Sequence, residues 1–142
     1  MKNINFLKKI KIVPVVKMTF HITNFLLIIL YLYPGSILGC FFYQNCAIQP
    51  QLTSDFAIYT LPFSSNHVYV FSLVSVLGFF SYSKKKHFIK VFIYLIFLSI
   101  ILELMHLIIP ERGFEIADLL GNIIGVIVAL VIVLTIKIWR KK

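Results

Sequence analysis

The stretch that decides the fold of this 142-residue chain runs from Glu103 to Gly125 and reads E-L-M-H-L-I-I-P-E-R-G-F-E-I-A-D-L-L-G-N-I-I-G. It joins two long apolar runs, residues 88–109 and 116–138. Four of the five acidic residues lie in it, and they are Glu103, Glu111, Glu115 and Asp118. Polar side chains gathered between two apolar runs predict a helical hairpin with a candidate site at its turn.

The composition is that of a membrane protein. The chain is 60% hydrophobic and 13% charged, whereas a soluble domain is roughly half apolar and about a quarter charged. About 20 helical residues cross the ~30 Å apolar core of a bilayer. Four runs approach that length, at residues 20–40, 66–82, 88–109 and 116–138. We therefore expect an all-α fold, an integral membrane four-helix bundle whose four transmembrane helices lie in one domain, residues 20–142.

The amino-terminal region is less regular. Residues 1–19 form a basic segment, which we expect at the cytoplasmic membrane surface, and Pro14 is expected to interrupt any helix there. Pro34-Gly35 leaves the end of the first run open. Either the helix starts near Val15 and ends at this dipeptide, or it kinks there and continues towards Phe42.

The distribution of basic residues predicts the topology. All but one of the 14 basic residues lie in residues 1–19, 84–90 and 137–142, and Arg112 is the exception. Lysine and arginine are retained on the cytoplasmic side of membrane proteins. Both termini are therefore expected in the cytoplasm and Arg112 outside. Because the basic groups flank apolar runs, the net charge of +9 indicates membrane topology and not nucleic-acid binding.

Residues 41–65 contain no lysine or arginine and a single acid, Asp55, among several aromatic residues. This composition predicts a loop along the outer membrane surface. Cys40 and Cys46 lie at its start, and outside the cytoplasm they could form a disulfide. Two separate thiols are favoured over the bridge, and the spacing matches no metal site.

Two pairs of polar residues have helical spacing. Glu103 and His106 are three residues apart, and Asp118 and Asn122 are four apart, so each pair shares a helix face. The short connection makes the two helices antiparallel neighbours. We expect the four side chains to meet Arg112 at the outer mouth of the bundle, with Glu103 protonated or paired with Arg112 or His106. Such a cluster is either a self-neutralising hairpin or a functional site.

Small residues recur every four positions along the last apolar run. They are Ala117, Gly121, Gly125 and Ala129. Small residues allow helices to approach closely in lipid. The pattern favours packing within the bundle over dimerisation.

No complete catalytic or metal-binding pattern is present. Glu103 and His106 form a single Glu-x-x-His, whereas a diiron bundle needs a second such pair. No Ser-His-Asp set, phosphate-binding glycine loop or zinc pattern occurs. We therefore expect no catalytic residues, no metal and no cofactor. The acids outnumber Arg112, which disfavours a free anion and favours internal pairing or a cationic ligand.

The order of polar residues in this stretch resembles the signature of VanZ-like membrane proteins. The residues concerned are Glu103, His106, Pro110, Arg112, Asp118, Asn122 and Gly125. His106 stands where that family has glutamine, and Asn66-His67 stands where it opens its second span with Asp-Lys. The resemblance implies a multi-pass protein of the bacterial cytoplasmic (inner) membrane, with an outward-facing polar site and no established biochemical activity.

The residues carried over from the resemblance are Glu103, Arg112, Asp118 and Asn122, with Asn66 and His67 as candidate contributors from the second span. The family's namesake is associated with resistance to a glycopeptide antibiotic. The first hypothesis is therefore a protein that contacts membrane lipids and influences an envelope component, such as an envelope glycan or a glycopeptide.

Two other functions remain open. The alternative is a small proton-coupled carrier or channel subunit that uses Glu103 and His106. An intramembrane enzyme acting on a lipid-linked glycan is least favoured, because the sequence offers neither a nucleophile nor a metal set.

Overall fold

The computed structural model describes residues 2–49 and 62–140, with side chains from Pro14 onward. Across this part of the chain the fold is all-α and contains no strand. The helices are α1 (Lys2–Leu32), α2 (Ile37–Tyr43), α3 (Ser65–Ser81), α4 (Lys85–Met105) and α5 (Ile116–Trp139). Much of the loop predicted at 41–65, including Asp55, lies outside the described residues.

Helix α1 is longer at its start and shorter at its end than the sequence suggested. It passes through Pro14, which was expected to interrupt it. A proline removes one backbone hydrogen bond, and long apolar helices tolerate that loss. The helix ends at Leu32 and not at Cys40, because Pro34 disfavours helical backbone before it and Gly35 adopts a left-handed φ of 73°.

The segment after α1 folds back on itself. The hydroxyl of Ser36 accepts a hydrogen bond from Gly39 N at 3.0 Å and so caps α2. The backbone N–H of Ser36 donates to Cys46 O at 2.7 Å. Cys40 and Cys46 form a disulfide, which decides between the bridged and free alternatives.

Among the described residues, three helical segments are long and apolar enough to cross a membrane: Pro14–Leu32, Lys85–Met105 and Ile116–Trp139. Helix α3 is also apolar but has 17 residues. Helix α4 ends at Met105, earlier than the predicted 109, because the chain turns there. Ile108 N donates to Met105 O at 3.1 Å in that turn.

Helix α3 packs more extensively against α5 than against any other described helix. A Cβ atom at Gly125 would lie 2.7 Å from Val68 O, and one at Gly121 would collide with Ser64 O. Ala129 is fully buried on the same stripe. The stripe of small residues therefore lies inside the bundle, against the backbone of α3.

The core of the bundle is apolar, and so is much of its outer surface. Phe71, Phe79 and Leu95 are fully buried. By contrast, Phe25 and Phe97 are more than 60% exposed. An apolar surface of this kind is favourable in contact with lipid, whereas in water it would promote aggregation.

Contacts between basic and aromatic side chains mark one end of the bundle. The ammonium of Lys17 lies 4.9 Å from the ring centre of Tyr82, and that of Lys137 lies 3.8 Å from the ring centre of Phe88. The opposite end carries the connection between α4 and α5, residues 106–115. We call this second end the hairpin end.

Candidate functional site

Glu103 and His106 form a buried pair at the hairpin end. Glu103 is 0% and His106 3% exposed, and Glu103 Oε1 lies 3.3 Å from His106 Nδ1. His106 Nε2 lies 3.1 Å from the carbonyl oxygen of Tyr31, which can only accept, so Nε2 carries a hydrogen. The Nδ1–Oε1 contact then requires one proton, held by the carboxyl or by the imidazole. In either form the pair has no net charge.

The carboxylate of Glu103 is only half satisfied. Its Oε1 also accepts a hydrogen bond from Glu115 N at 3.1 Å, which ties the end of α4 to the start of α5. Its Oε2 is buried and has no hydrogen-bond partner among the residues described. A buried polar atom of this kind costs free energy, about 1–3 kcal/mol, until something pairs with it.

His67 of α3 contacts side chains of two other helices, α1 and α5. Its Nδ1 lies 2.9 Å from both Tyr31 Oη and Asn122 Oδ1. Asn122 Nδ2 donates to Ser99 O at 3.4 Å, and Tyr31 Oη donates to Asn122 Oδ1 at 2.8 Å. Asn122 Oδ1 is therefore an acceptor, and His67 Nδ1 carries the hydrogen. The other ring nitrogen, Nε2, faces Asp118 Oδ2 at 3.5 Å.

Arg112 contacts α1 and not the acids. Its Nη2 donates to Leu30 O at 3.2 Å and its Nε to Tyr33 O at 3.3 Å. These carbonyls lie at the carboxyl end of α1, where a positive charge is favourable. Burial lowers the pKa of Arg112, although electrostatic interactions with Tyr31, Asp118 and Glu103 oppose that shift. Within the described ranges the guanidinium forms no ion pair with a carboxylate.

A cavity of about 500 Å³ opens beside these groups. The predicted residues that line it are Asn66, His67, His106, Arg112 and Asp118. Glu111 and Glu115 are exposed and also line it. The other two predicted residues, Glu103 and Asn122, are 0% exposed and hydrogen-bond to residues in the wall.

Comparison with known proteins identifies the family to which this chain belongs. The family model described as VanZ/LLP1 matches residues 3–138, nearly the whole chain. The chain belongs to the VanZ/LLP1 family. This confirms the resemblance drawn from the stretch that begins at Glu103. No curated protein and no solved structure matches the chain.

One residue of this VanZ/LLP1 site was missed by sequence reasoning. Tyr31 is 9% exposed, and its ring stacks on His106 with centres 5.6 Å apart and planes 14° apart. Its ring also packs edge-on against His67, at 5.3 Å. The signal in the sequence is that Tyr31 is the single tyrosine of α1, placed at the end that faces the hairpin.

The arrangement offers two kinds of chemistry to the VanZ/LLP1 protein. The Glu103–His106 contact places one proton between a carboxyl oxygen and a ring nitrogen, both buried. The His67–Asp118 pair presents acceptor atoms to the cavity. The described lining of the cavity also includes Ser64 and Ser65, and it contains neither cysteine nor lysine.

Proposed function

We propose that this VanZ/LLP1 protein crosses the bacterial cytoplasmic membrane four times, with both termini in the cytoplasm and the hairpin end outside. The distribution of charge supports this topology. Lys17 and Lys137 lie at one end of the bundle, and Arg112 lies at the other. Helix α3, with 17 residues, is at the lower limit of about 17–25 residues for a span.

We further propose that the cavity at the hairpin end binds a polar component of the cell envelope and so influences glycopeptide sensitivity. The cavity itself carries this proposal. Its volume of about 500 Å³ lies within the range of roughly 300–1,000 Å³ typical of small-molecule sites. Its lining includes a guanidinium, two imidazoles and three carboxylates, which favours a glycan or a headgroup over an acyl chain.

The test replaces Arg112 with alanine and uses Lys90→Ala as the matched control. Both variants lose one basic residue, but Lys90 lies in the basic group after α3, away from this cavity. We expect Arg112→Ala alone to change growth in the presence of a glycopeptide, at normal protein level. Equal behaviour of the two variants would remove the proposal.

The buried Glu103–His106 pair supports a second candidate, a small proton-coupled carrier or channel subunit. One proton shared between two buried groups is what a relay through the bundle would use. Purified protein in liposomes with an internal pH dye would report proton entry under an applied potential. Entry that persists unchanged in Glu103→Gln would exclude this function.

A further inference from the structure

Three side chains at the hairpin end converge on one point. His67, Glu103 and Asp118 each offer one ligand atom, and the three atoms lie within 4.8 Å of one another. They belong to α3, α4 and α5, so the cluster depends on the packing of three helices. Residue spacing along the sequence cannot reveal a cluster whose members lie on three different helices. For that reason the sequence led to the prediction that no metal is bound.

The tautomer of His67 points to a cation. Because Nδ1 carries the hydrogen that faces Asn122 Oδ1, Nε2 presents a lone pair. That lone pair faces Asp118 Oδ2 at 3.5 Å, so two acceptors oppose each other. Only a positive species between them, a proton or a metal ion, makes this contact favourable. A hydrogen bond that fixes the far nitrogen of a histidine is also the usual support of a metal ligand.

Glu103 provides an independent observation. It is 0% exposed, and its Oε2 has no partner in the described part of the chain. Its other oxygen is occupied by His106 and by Glu115 N. A metal ion would pair with the free oxygen, and the shared proton would then reside on His106.

We propose that His67, Glu103 and Asp118 form a site for one divalent transition-metal ion, with Zn²⁺ as the representative ion. One imidazole and two carboxylates suit such ions, and three protein ligands leave a fourth position for water or a ligand. Ligands at ~2.0–2.1 Å in a tetrahedron lie about 3.3 Å apart, close to the 3.5 Å between His67 Nε2 and Asp118 Oδ2. The three ligand atoms lie up to 4.8 Å apart, so binding one ion requires the side chains to rotate towards it.

The metal site would belong to the same cavity as the proposed function. Any role of the bound ion at the envelope rests on that proposed function. Asp118 and His67 line the cavity, so the open position of the ion would face it. The carboxylates at the hairpin end outnumber the single positive charge of Arg112. A divalent cation would balance this excess of negative charge. A polar envelope component bound in the cavity could supply the fourth ligand through an oxygen atom.

The test is metal binding by the full-length protein, purified in detergent with its affinity tag removed and its metal stripped by a chelator. Zn²⁺ is titrated by calorimetry, and bound zinc is counted by mass spectrometry after dialysis. We expect about one ion per chain. Co²⁺ in place of Zn²⁺ should give visible absorption bands, a readout of the ligand set itself.

The variants are His67→Ala and Asp118→Asn, with His21→Ala as the matched control. His21 is exposed and hydrogen-bonds Tyr82, at the end of the bundle opposite the hairpin end. Each site variant should weaken Zn²⁺ binding by at least about tenfold, with unchanged circular dichroism, and His21→Ala should bind normally. Wild-type protein without stoichiometric zinc, or Asp118→Asn with wild-type affinity, would overturn the proposal.

The outcomes also separate this inference from the proposed function. Normal zinc binding with no effect of Arg112→Ala on glycopeptide sensitivity would remove the function and leave the metal site. The reverse result would remove the metal site alone.

Discussion

Replacing Gly125 with alanine should loosen the contact between α3 and α5. The new Cβ would lie 2.7 Å from Val68 O, 2.8 Å from Phe71 Cβ and 3.0 Å from Ser72 N, whereas ordinary contacts are 3.4–4 Å. All three atoms belong to the backbone or its first side-chain carbon, so rotation of a side chain cannot relieve the overlap. The helices must separate by several tenths of an ångström.

The expected change in the free energy of unfolding follows from two opposing effects. Overpacking a well-packed site costs about 1–3 kcal/mol, and the rigid neighbours of Gly125 place it near the upper value. Alanine in place of glycine stabilises a helix by about 1 kcal/mol. We therefore expect a net loss of about 2 kcal/mol in the free energy of unfolding.

The assay is reversible unfolding in mixed micelles, followed by far-ultraviolet circular dichroism. Gly113→Ala is the control, because a Cβ there meets no atom within 4 Å. A Gly125→Ala protein as stable as the Gly113→Ala protein would refute the close approach of α3 and α5. Dependence of the loss on protein concentration would instead place the small-residue stripe between two chains.

Two further results are expected. Tyr31→Phe removes the hydroxyl that donates to Asn122, and it should lower the free energy of unfolding by about 1 kcal/mol. The control is Tyr94→Phe, which removes an exposed hydrogen bond with Asn24. It should lower the free energy of unfolding by less in the same assay. Cys40 and Cys46 should react with a maleimide-polymer reagent only after reduction, read as a gel shift; a shift without reductant would contradict the bridge.

Much of the fold could be predicted because apolar runs and helix-breaking residues act locally. The start of α5 at Ile116 was placed correctly, since the preceding polar residues and the following apolar run leave little choice. The ends of α1 and α4 could not be placed from the sequence. Pro34 could end a helix or kink it, and the turn after Met105 is built from residues that are themselves apolar.

The candidate site could be predicted only in part. Helical spacing correctly pairs Glu103 with His106, because residues three apart share a face whatever the rest of the chain does. The partner of Arg112 could not be predicted, because its side chain reaches a third helix. Arg112 hydrogen-bonds the carbonyl oxygens of Leu30 and Tyr33. The acidic residues instead contact His67 or His106, or they line the cavity.

By itself the sequence determined the membrane class, the helical hairpin and the family of this protein. These follow from hydropathy, from charge and from residues close together along the chain. Only the tertiary structure decided that Tyr31 and His67 join Asn122, and that His67, Glu103 and Asp118 converge. The physical reason is that helix neighbours and rotations are set by packing, here by the close approach of α3 at Gly125. That approach places His67 of α3 beside Asp118 of α5, two residues that are far apart in the sequence.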